Sequence, residues 1–469
     1  MSTAARQAAP PAPDDGRPGG APARAIVVGA GVGGLCAAAR LAAAGSEVVV
    51  LERLHQVGGR WSSRDIDGFR LPTGAFLIAM DDPLAETFAE LNVDFPVRAI
   101  DERTVFSVNG RLVGTGERGG LRALVGTAAE LDGSDADTVL TRLRAALVSP
   151  PPDGDVSLPQ WLVSSGAGPV VVAAIHALVQ AFMGLNAVEV TATAFLDYLR
   201  ATAGRGRHGI PPAGSRSLAE NLAGFVTSHG GDVRLGSGAK GLLVEDGRVV
   251  GAELAGGIRL RADVVVSDIG LAATAKLLEH AHDEAAAKVR SVSAAVRGAP
   301  GITCFVASQQ PFFDHPVVVV AGTRRVCLVT TPTLVAPELA PPGWHLTESI
   351  STFASSADCS DPKSELAEHL ADLDDLLGDW RSRGRLLQSA TYRGEWPVYR
   401  SWPGTDPTNR FLVPGLALVG DAVKPPGWPG TGASAESARL AVNDIREGRH
   451  EPALSPTNGL ATEPGATRR

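Results

Sequence analysis

Long runs of one charge sign are missing from these 469 residues. Lys and Arg total 43 against 51 Asp and Glu, a net charge of −8, and only five of the basic residues are lysine. Without a basic cluster the chain lacks the electrostatic footprint of a nucleic-acid binder. Cysteine is scarce. Cys36, Cys304, Cys327 and Cys359 lie far apart with no C-x-x-C spacing, which argues against a disulfide framework or a cysteine zinc site and for a reducing compartment. No apolar run reaches the roughly 18 residues that a membrane-spanning helix needs. The most apolar stretch, Val170 to Met183, is interrupted by His176 and Gln180. The N-terminal stretch has no apolar core of the secretory type, so a cytoplasmic location is expected. No metal is expected either: His280 and His282, two residues apart, fall on different faces of a helix. What remains is ordinary globular composition, 44% hydrophobic and 20% charged, with ample material for a core.

Order is expected to begin at residue 24, after an Ala/Pro-rich tail (1–23), and to end before a second such tail (452–469). Ala25-Ile26-Val27-Val28 is a short apolar run bounded by glycine, as in a buried parallel strand. Leu35 to Ala44 is Ala/Leu-rich and helical, with Gly45 as its C-terminal stop. Glu47 to Leu51 is a second strand. A second ordered block follows: a helix capped by Ser217, a strand over Asp232–Leu235, strands flanking the Asp246-Gly247 turn, and a strand over Ala262–Val266. A third block has a strand at Leu416–Val419 and a helix from about Gly432 to Ile445. The spacing predicts an α/β protein. Its nucleotide-binding domain is assembled from residues 24–77, 215–271 and 411–451, and its α+β substrate domain from the insertions 78–214 and 272–410.

Gly29-Ala30-Gly31-Val32-Gly33-Gly34 is a G-x-G-x-x-G turn between a strand and a helix. Gly29 permits the tight turn, Gly31 lets backbone approach a pyrophosphate, and Gly34 lets the helix pack on the sheet. The helix N-terminus offers free N–H groups to phosphate. Glu52, at the end of the next strand, can accept a bond from a ribose hydroxyl and disfavours a 2′-phosphate, hence an NADP-type ligand. The string Gly236-Ser237-Gly238-Ala239-Lys240-Gly241 also matches, but strands follow it, so no helix dipole points at a phosphate.

After Glu52 come Arg53, Gly58, Gly59 and Arg60. Here the sequence resembles the large flavoprotein group that contains phytoene desaturases and flavin amine oxidases, most closely the phytoene-desaturase-like members. The resemblance implies a Rossmann-type fold binding FAD. Gly58, Gly59 and Arg60 would meet the pyrophosphate side and Arg53 the adenosine. Thr73-Gly74-Ala75 would pass near the flavin. The block from Pro212 to Ser267 is similar to that group's middle block, with backbone near Ala239 against the adenine. Leu416 to Ala435 looks like its second cofactor motif. Asp421, after Gly420, would bind ribityl hydroxyls, and the N–H groups of Thr431, Gly432 and Ala433 would face the flavin N1/C2=O edge, where reduced flavin is negative.

The chain departs from the amine-oxidase pattern in two places. No lysine occurs in the strand expected near 298–306, and Lys276 and Lys288 sit in helical, solvated stretches. Only Trp428 stands near the position of an aromatic cage. Glu395 to Trp402 precedes the last motif, with Tyr399 and Trp402 as candidate cavity walls alongside Trp428. His176 reads as a core histidine. With no cysteine in the C-terminal motif, the FAD is expected to be noncovalent. With no second sound dinucleotide loop, oxygen or a quinone is favoured over nicotinamide as electron acceptor. The apolar stretch Gly168–Leu199 suggests an apolar small-molecule substrate, such as a secondary metabolite. The expected activity is hydride removal from a C–H bond to flavin N5, as in a desaturase or dehydrogenase. The alternatives are an amine oxidase, a redox-neutral isomerase, and a non-catalytic flavin-fold binding protein.

Overall fold

Valine-rich segments too short to stand alone become a sheet because each lies between two others. The computed structural model describes residues 20–449 apart from 101–104, 109, 115–119, 150–155, 280, 357–360 and 409. Five strands from three separated stretches form one parallel sheet in the spatial order Asp232–Arg234, Glu47–Leu51, Arg24–Val28, Val264–Ser267, Leu416–Leu418. Both faces of the central strand are covered, which is why its residues read as a continuous apolar run. On one face pack the helices Val32–Ala43, Ser215–Ser228 and Gly430–Arg446, through Leu35, Leu222 and Val442 among others. On the other lie the antiparallel strands Gly241–Glu245, Arg248–Glu253 and Arg259–Arg261 with the helices Leu271–Leu278 and Asp283–Ala295.

A seven-stranded mixed sheet forms a second layer, built entirely from residues 105–114 and 301–392. Its order is Gly384–Tyr392, Gly301–Ser308, His345–Thr352, Val326–Thr330, Val317–Ala321, Val105–Val108, Arg111–Gly114. Helices Gly120–Asp132, Leu158–Ser164, Pro169–Met183 and Ala192–Ala201 pack in one apolar cluster with part of this sheet. Helix Pro362–Leu377 covers the opposite face through His369, Leu373 and Leu377.

Several local expectations are corrected. Ser217 is no cap: the helix begins at Ser215 behind Gly214, and the Ser217 hydroxyl donates to the Gly214 carbonyl. Order begins before residue 24, since Ala23 accepts the Glu47 N–H at 2.9 Å and Gly20 lies against Arg446. The remainder of both expected tails, His280 and Cys359 lie outside the described residues. His282 stands between two helices, where its Nδ1 caps the second by accepting the Ala285 N–H. Among the described residues no cluster has metal-ligand chemistry, and no helix is long and apolar enough to cross a membrane.

Candidate active site

The glycine turn is held by bonds that its own side chains could not supply. Gly29 adopts φ +99°, and its N–H donates to the Leu51 carbonyl at 2.9 Å, tying the turn to the neighbouring strand. Glu52 finishes that tie. Its buried carboxylate accepts from the Ala30 and Leu54 N–H groups, each at 2.8 Å. A β-carbon on Gly34 would strike the Gly29 carbonyl, so the helix seats closely only because that residue is glycine. Gly33 is equally crowded, with Gly420 Cα 2.8 Å from where its β-carbon would lie. The first and last sequence motifs are therefore in direct contact.

The second Gly-Gly turn supports Arg60. Gly58 donates to the Ala30 carbonyl at 2.7 Å, and the Gly59 carbonyl accepts from the Thr73 hydroxyl at 2.9 Å. Ala75 donates to the Arg60 carbonyl at 3.1 Å, and Gly74 packs against it. The Arg60 guanidinium forms a fork on Asp421, with Nη2–Oδ1 2.6 Å and Nη1–Oδ2 3.0 Å, and also donates to the Pro397 and Val398 carbonyls at 3.1 Å. The Arg400 N–H adds a third bond to Asp421 at 2.9 Å. Burial alone would favour the neutral acid. Arg60, Arg400 and Lys424 outweigh it and hold Asp421 ionised, far below the usual carboxylate range.

A cavity of about 740 Å³ runs between the two sheets. It is bounded by Gly29, Gly31, Glu52, Arg53, Gly58, Gly59, Arg60, Gly74 and Ala75 at the turns, by Ala239, and by Asp421, Gly430 and Thr431 of the last motif. Its far wall is the seven-stranded sheet, through Thr303, Leu328, Glu348, Ile350 and Tyr392. No lysine lines this wall, and Thr303 of the strand Gly301–Ser308 borders the cavity. Gln180, Ala181, Phe182 and Gly184 supply the contribution of the apolar Gly168–Leu199 stretch, most of which is core. Lys276 reaches the rim, 68% exposed, 3.7 Å from Glu395. Lys288 pairs with Glu284 in solvent.

The candidate wall residues divide. Tyr399 lines the cavity, and its hydroxyl donates to the Phe182 carbonyl at 3.0 Å. Trp396 also lines it. Trp402 is instead a core residue that donates to the Gly298 carbonyl at 3.3 Å. Trp428 does not border the cavity, because its ring is stacked under Arg205. The last helix is corrected too. Ala433 faces the core with its N–H already donated to the Pro429 carbonyl at 3.1 Å, so it offers no donor to a ligand. Gly432 stands against the carboxyl of Asp82. His176 bonds Asn186 at 3.2 Å and stays a packing residue.

Sequence reading missed two acids at the turns. Asp268 directly follows the strand Val264–Ser267, and its carboxyl lies over the glycine turn, with Oδ2 2.5 Å from where a β-carbon on Gly31 would be. Burial pushes its pKa up to about 7, against the pull of the Gly34 N–H and Arg400. Asp82 caps the helix Pro83–Glu90 and is pushed by burial to about 6. Its place at the carboxyl end of a parallel strand was the available signal for Asp268, because open α/β sheets bind ligands there.

A family model described as flavin-containing amine oxidoreductase matches residues 32–446. The chain belongs to that family. This flavin-containing amine oxidoreductase is 24% identical to an uncharacterized protein of Methanocaldococcus jannaschii, over 85% of this chain and 93% of that one. A phytoene desaturase of Rhodobacter capsulatus is 46% identical over 72 residues, 15% of this chain and 14% of the desaturase. Among solved structures, an oxidoreductase from Methanosarcina mazei superposes with TM-score 0.80 at 27% identity, covering 89% of this chain and 99% of that one. A putrescine oxidase bound to putrescine shares the fold, with TM-score 0.65 at 17% identity over 90% of this chain and 98% of that one. The protein is thus a flavin oxidoreductase of mixed α/β fold.

Proposed function

We propose that the protein binds FAD noncovalently along this cavity and removes hydride from a C–H bond of a mainly apolar small molecule, as a desaturase or dehydrogenase does. One observation carries the reading: a single cavity joins the glycine turn and Glu52 to the start of helix Gly430–Arg446 and then to the seven-stranded sheet. The residues present fit the cofactor. Gly31 and Gly33 leave no room for a side chain, and Glu52 faces the cavity with its carboxylate fixed by two N–H groups. Asp268, which would repel an anionic ligand when charged, is pushed up to about 7 by burial, so its charge at neutral pH is reduced. Cys36, Cys304 and Cys327 do not border the cavity, which supports a noncovalent attachment.

On this reading the parallel-sheet segments 24–77, 215–271 and 411–451 form the Rossmann-type cofactor domain, and the two insertions form the substrate domain. Arg53, Gly58, Gly59 and Arg60 hold the phosphate and adenosine side, with Ala239 at the adenine. Gly74, Ala75, Asp421 and the Thr431 N–H hold the redox end. Bound FAD supplies the hydride acceptor, N5. The protein's own part is to orient the substrate between Tyr399, Phe182 and the sheet, to exclude water, and to keep Asp421 charged and Arg60 fixed. The second G-x-G-x-x-G string supports no nicotinamide site. Its residues are tied to the chain after Glu52 through Gly236 N–H to Leu54 (2.8 Å) and Ser237 N–H to Glu52 (2.7 Å), and strands follow. Oxygen or a quinone is therefore the acceptor we favour.

The test is anaerobic mixing of the flavin-loaded protein with polyenes, alcohols and amines. Bleaching of the flavin absorbance by one class supports the reading and names the chemistry. A product of unchanged mass would point instead to isomerisation. A colourless protein that FAD does not reconstitute would leave only a binding role.

A further inference from the structure

The cavity wall beside Phe182 holds a nitrogen base to which the proposed chemistry gives no part. His208 opens the short strand His208–Ile210, which pairs antiparallel with Ile78–Ala79 and sets His208 opposite Ala79. Residues opposite each other in such a pair project to the same face, and both line the cavity. Among the described residues bordering the cavity, His208 is the one histidine. Its ring centroid lies 6.1 Å from that of Phe182, whose carbonyl receives the Tyr399 hydroxyl. Asp82, just past Ala79 in the chain, stands against Gly432 at the start of the last helix. The imidazole therefore belongs to the wall that joins the substrate face to the proposed flavin end.

The ring is held in one tautomer. Nδ1 lies 3.1 Å from the Gly206 carbonyl, which can only accept, so Nδ1 carries the hydrogen and Nε2 keeps a lone pair. Gly206 is fixed in turn. Its N–H and that of Arg207 donate to the Asp81 carboxylate at 3.1 and 3.2 Å, and Arg205 bonds the Asp81 carbonyl and Glu86. Nε2 has no hydrogen-bond partner among the described residues and is not sealed from the cavity by packing. Asp81 is the charge that acts on the ring; Arg98, on the strand along its other edge, is turned to Glu338. Burial outweighs Asp81 and lowers the ring below its ordinary value of 6.5, so it stands neutral and ready to accept at neutral pH. The other groups on the walls are occupied. Glu348 keeps its own proton because burial raises its acid well above the ordinary range, Asp82 caps a helix, and Asp421 is tied to Arg60.

We propose that His208 is the catalytic base of the reaction, taking at Nε2 the proton that leaves the substrate as its hydride leaves to the flavin. The inference rests on the proposed function. The step balances for a substrate H–C–X–H in which X is carbon or oxygen. The C–H bond breaks with its electron pair going to the bound flavin, the X–H bond breaks with its proton going to Nε2, and C=X forms. The substrate gives up two electrons to the flavin, and the imidazolium then returns its proton to water.

The test first treats the purified holoprotein with diethyl pyrocarbonate, which acylates neutral imidazole, and locates the modified residues by peptide mass spectrometry. His208 should react, with a rate that falls away only below pH 6.5. The buried His369, bonded through both ring nitrogens, should not. Anaerobic stopped flow with geraniol, benzyl alcohol and squalene then reads flavin bleaching. For a compound that bleaches the native protein, His208→Gln should slow the rate by about 100-fold or more and abolish its fall at acid pH, with FAD content and melting temperature unchanged. Imidazole added to His208→Ala should restore part of the rate, which a packing role would not allow. An unreactive His208, or a His208→Gln protein with the native rate and acid limb, would overturn the proposal. Should the variants not fold, the acylated native holoprotein decides: bleaching lost in step with His208 modification supports the proposal, and bleaching kept after full modification overturns it. A native protein without FAD, or one that none of the three compounds bleaches, would sink the proposed function instead, and the reactivity of His208 would then decide whether a free base stands in the cavity.

Discussion

Asp268→Asn removes a charge at the glycine turn while keeping the shape of the side chain. The native carboxyl is half-buried at the cavity wall, and that burial lifts its pKa from 3.8 to about 7. Below the lower value the group is protonated in folded and unfolded chains alike, and the variant should change little. Between the two values the unfolded chain loses the proton and the folded chain keeps it, so native stability falls as pH rises. Above the upper value both are ionised and the penalty is constant. Three pKa units at about 1.4 kcal/mol each set an upper limit near 4 kcal/mol. Urea denaturation of flavin-stripped protein at pH 5 and pH 8 reads the effect. The variant's advantage should grow by about 2–3 kcal/mol between the two conditions. Parallel pH curves for variant and native protein would refute the burial argument.

Other outcomes follow from the same geometry. Arg60→Leu leaves Asp421 buried with the Arg400 N–H, a weaker Arg400 pair and the charge of nearby Lys424, and should cost about 3–5 kcal/mol in the same denaturation assay. Glu52→Ala orphans the Ala30 and Leu54 N–H groups, and should both destabilise the protein by about 2 kcal/mol or more and loosen FAD, measured by equilibrium dialysis. Cys36, Cys304 and Cys327 are buried, with thiols pushed up to about 12. Mass spectrometry after iodoacetamide at pH 8 should find all three unmodified in the folded protein and modified in urea.

The parts of the fold visible in the sequence were those written in local patterns. The strand Arg24–Val28, its glycine turn and the acid at residue 52 lie within one strand–helix–strand unit, so spacing alone placed them. The Asp246-Gly247 hairpin was equally local: both residues adopt positive φ, the conformation such a turn demands. The seven-stranded sheet was not visible, because its pairings join Val105 to Val318 and Gly301 to Tyr392 across long separations. Trp402 and Trp428 show why proximity to a motif is weak evidence: one is core and the other lies beneath Arg205, though both stand close in sequence to cavity residues. Asp268 carried a faint signal, an acid closing a buried strand. It belongs to no motif, and its importance comes from burial that only the assembled fold creates.

The account stands on a dinucleotide flavin lying in the cavity between the two sheets. Heat release of the cofactor from purified protein, with identification by mass, tests this most directly. One FAD per chain is expected, freed without proteolysis, and none in Gly31→Val, whose β-carbon would meet Asp268 Oδ2 at 2.5 Å. FMN in place of FAD, no flavin in the native protein, or full FAD content in Gly31→Val would contradict it.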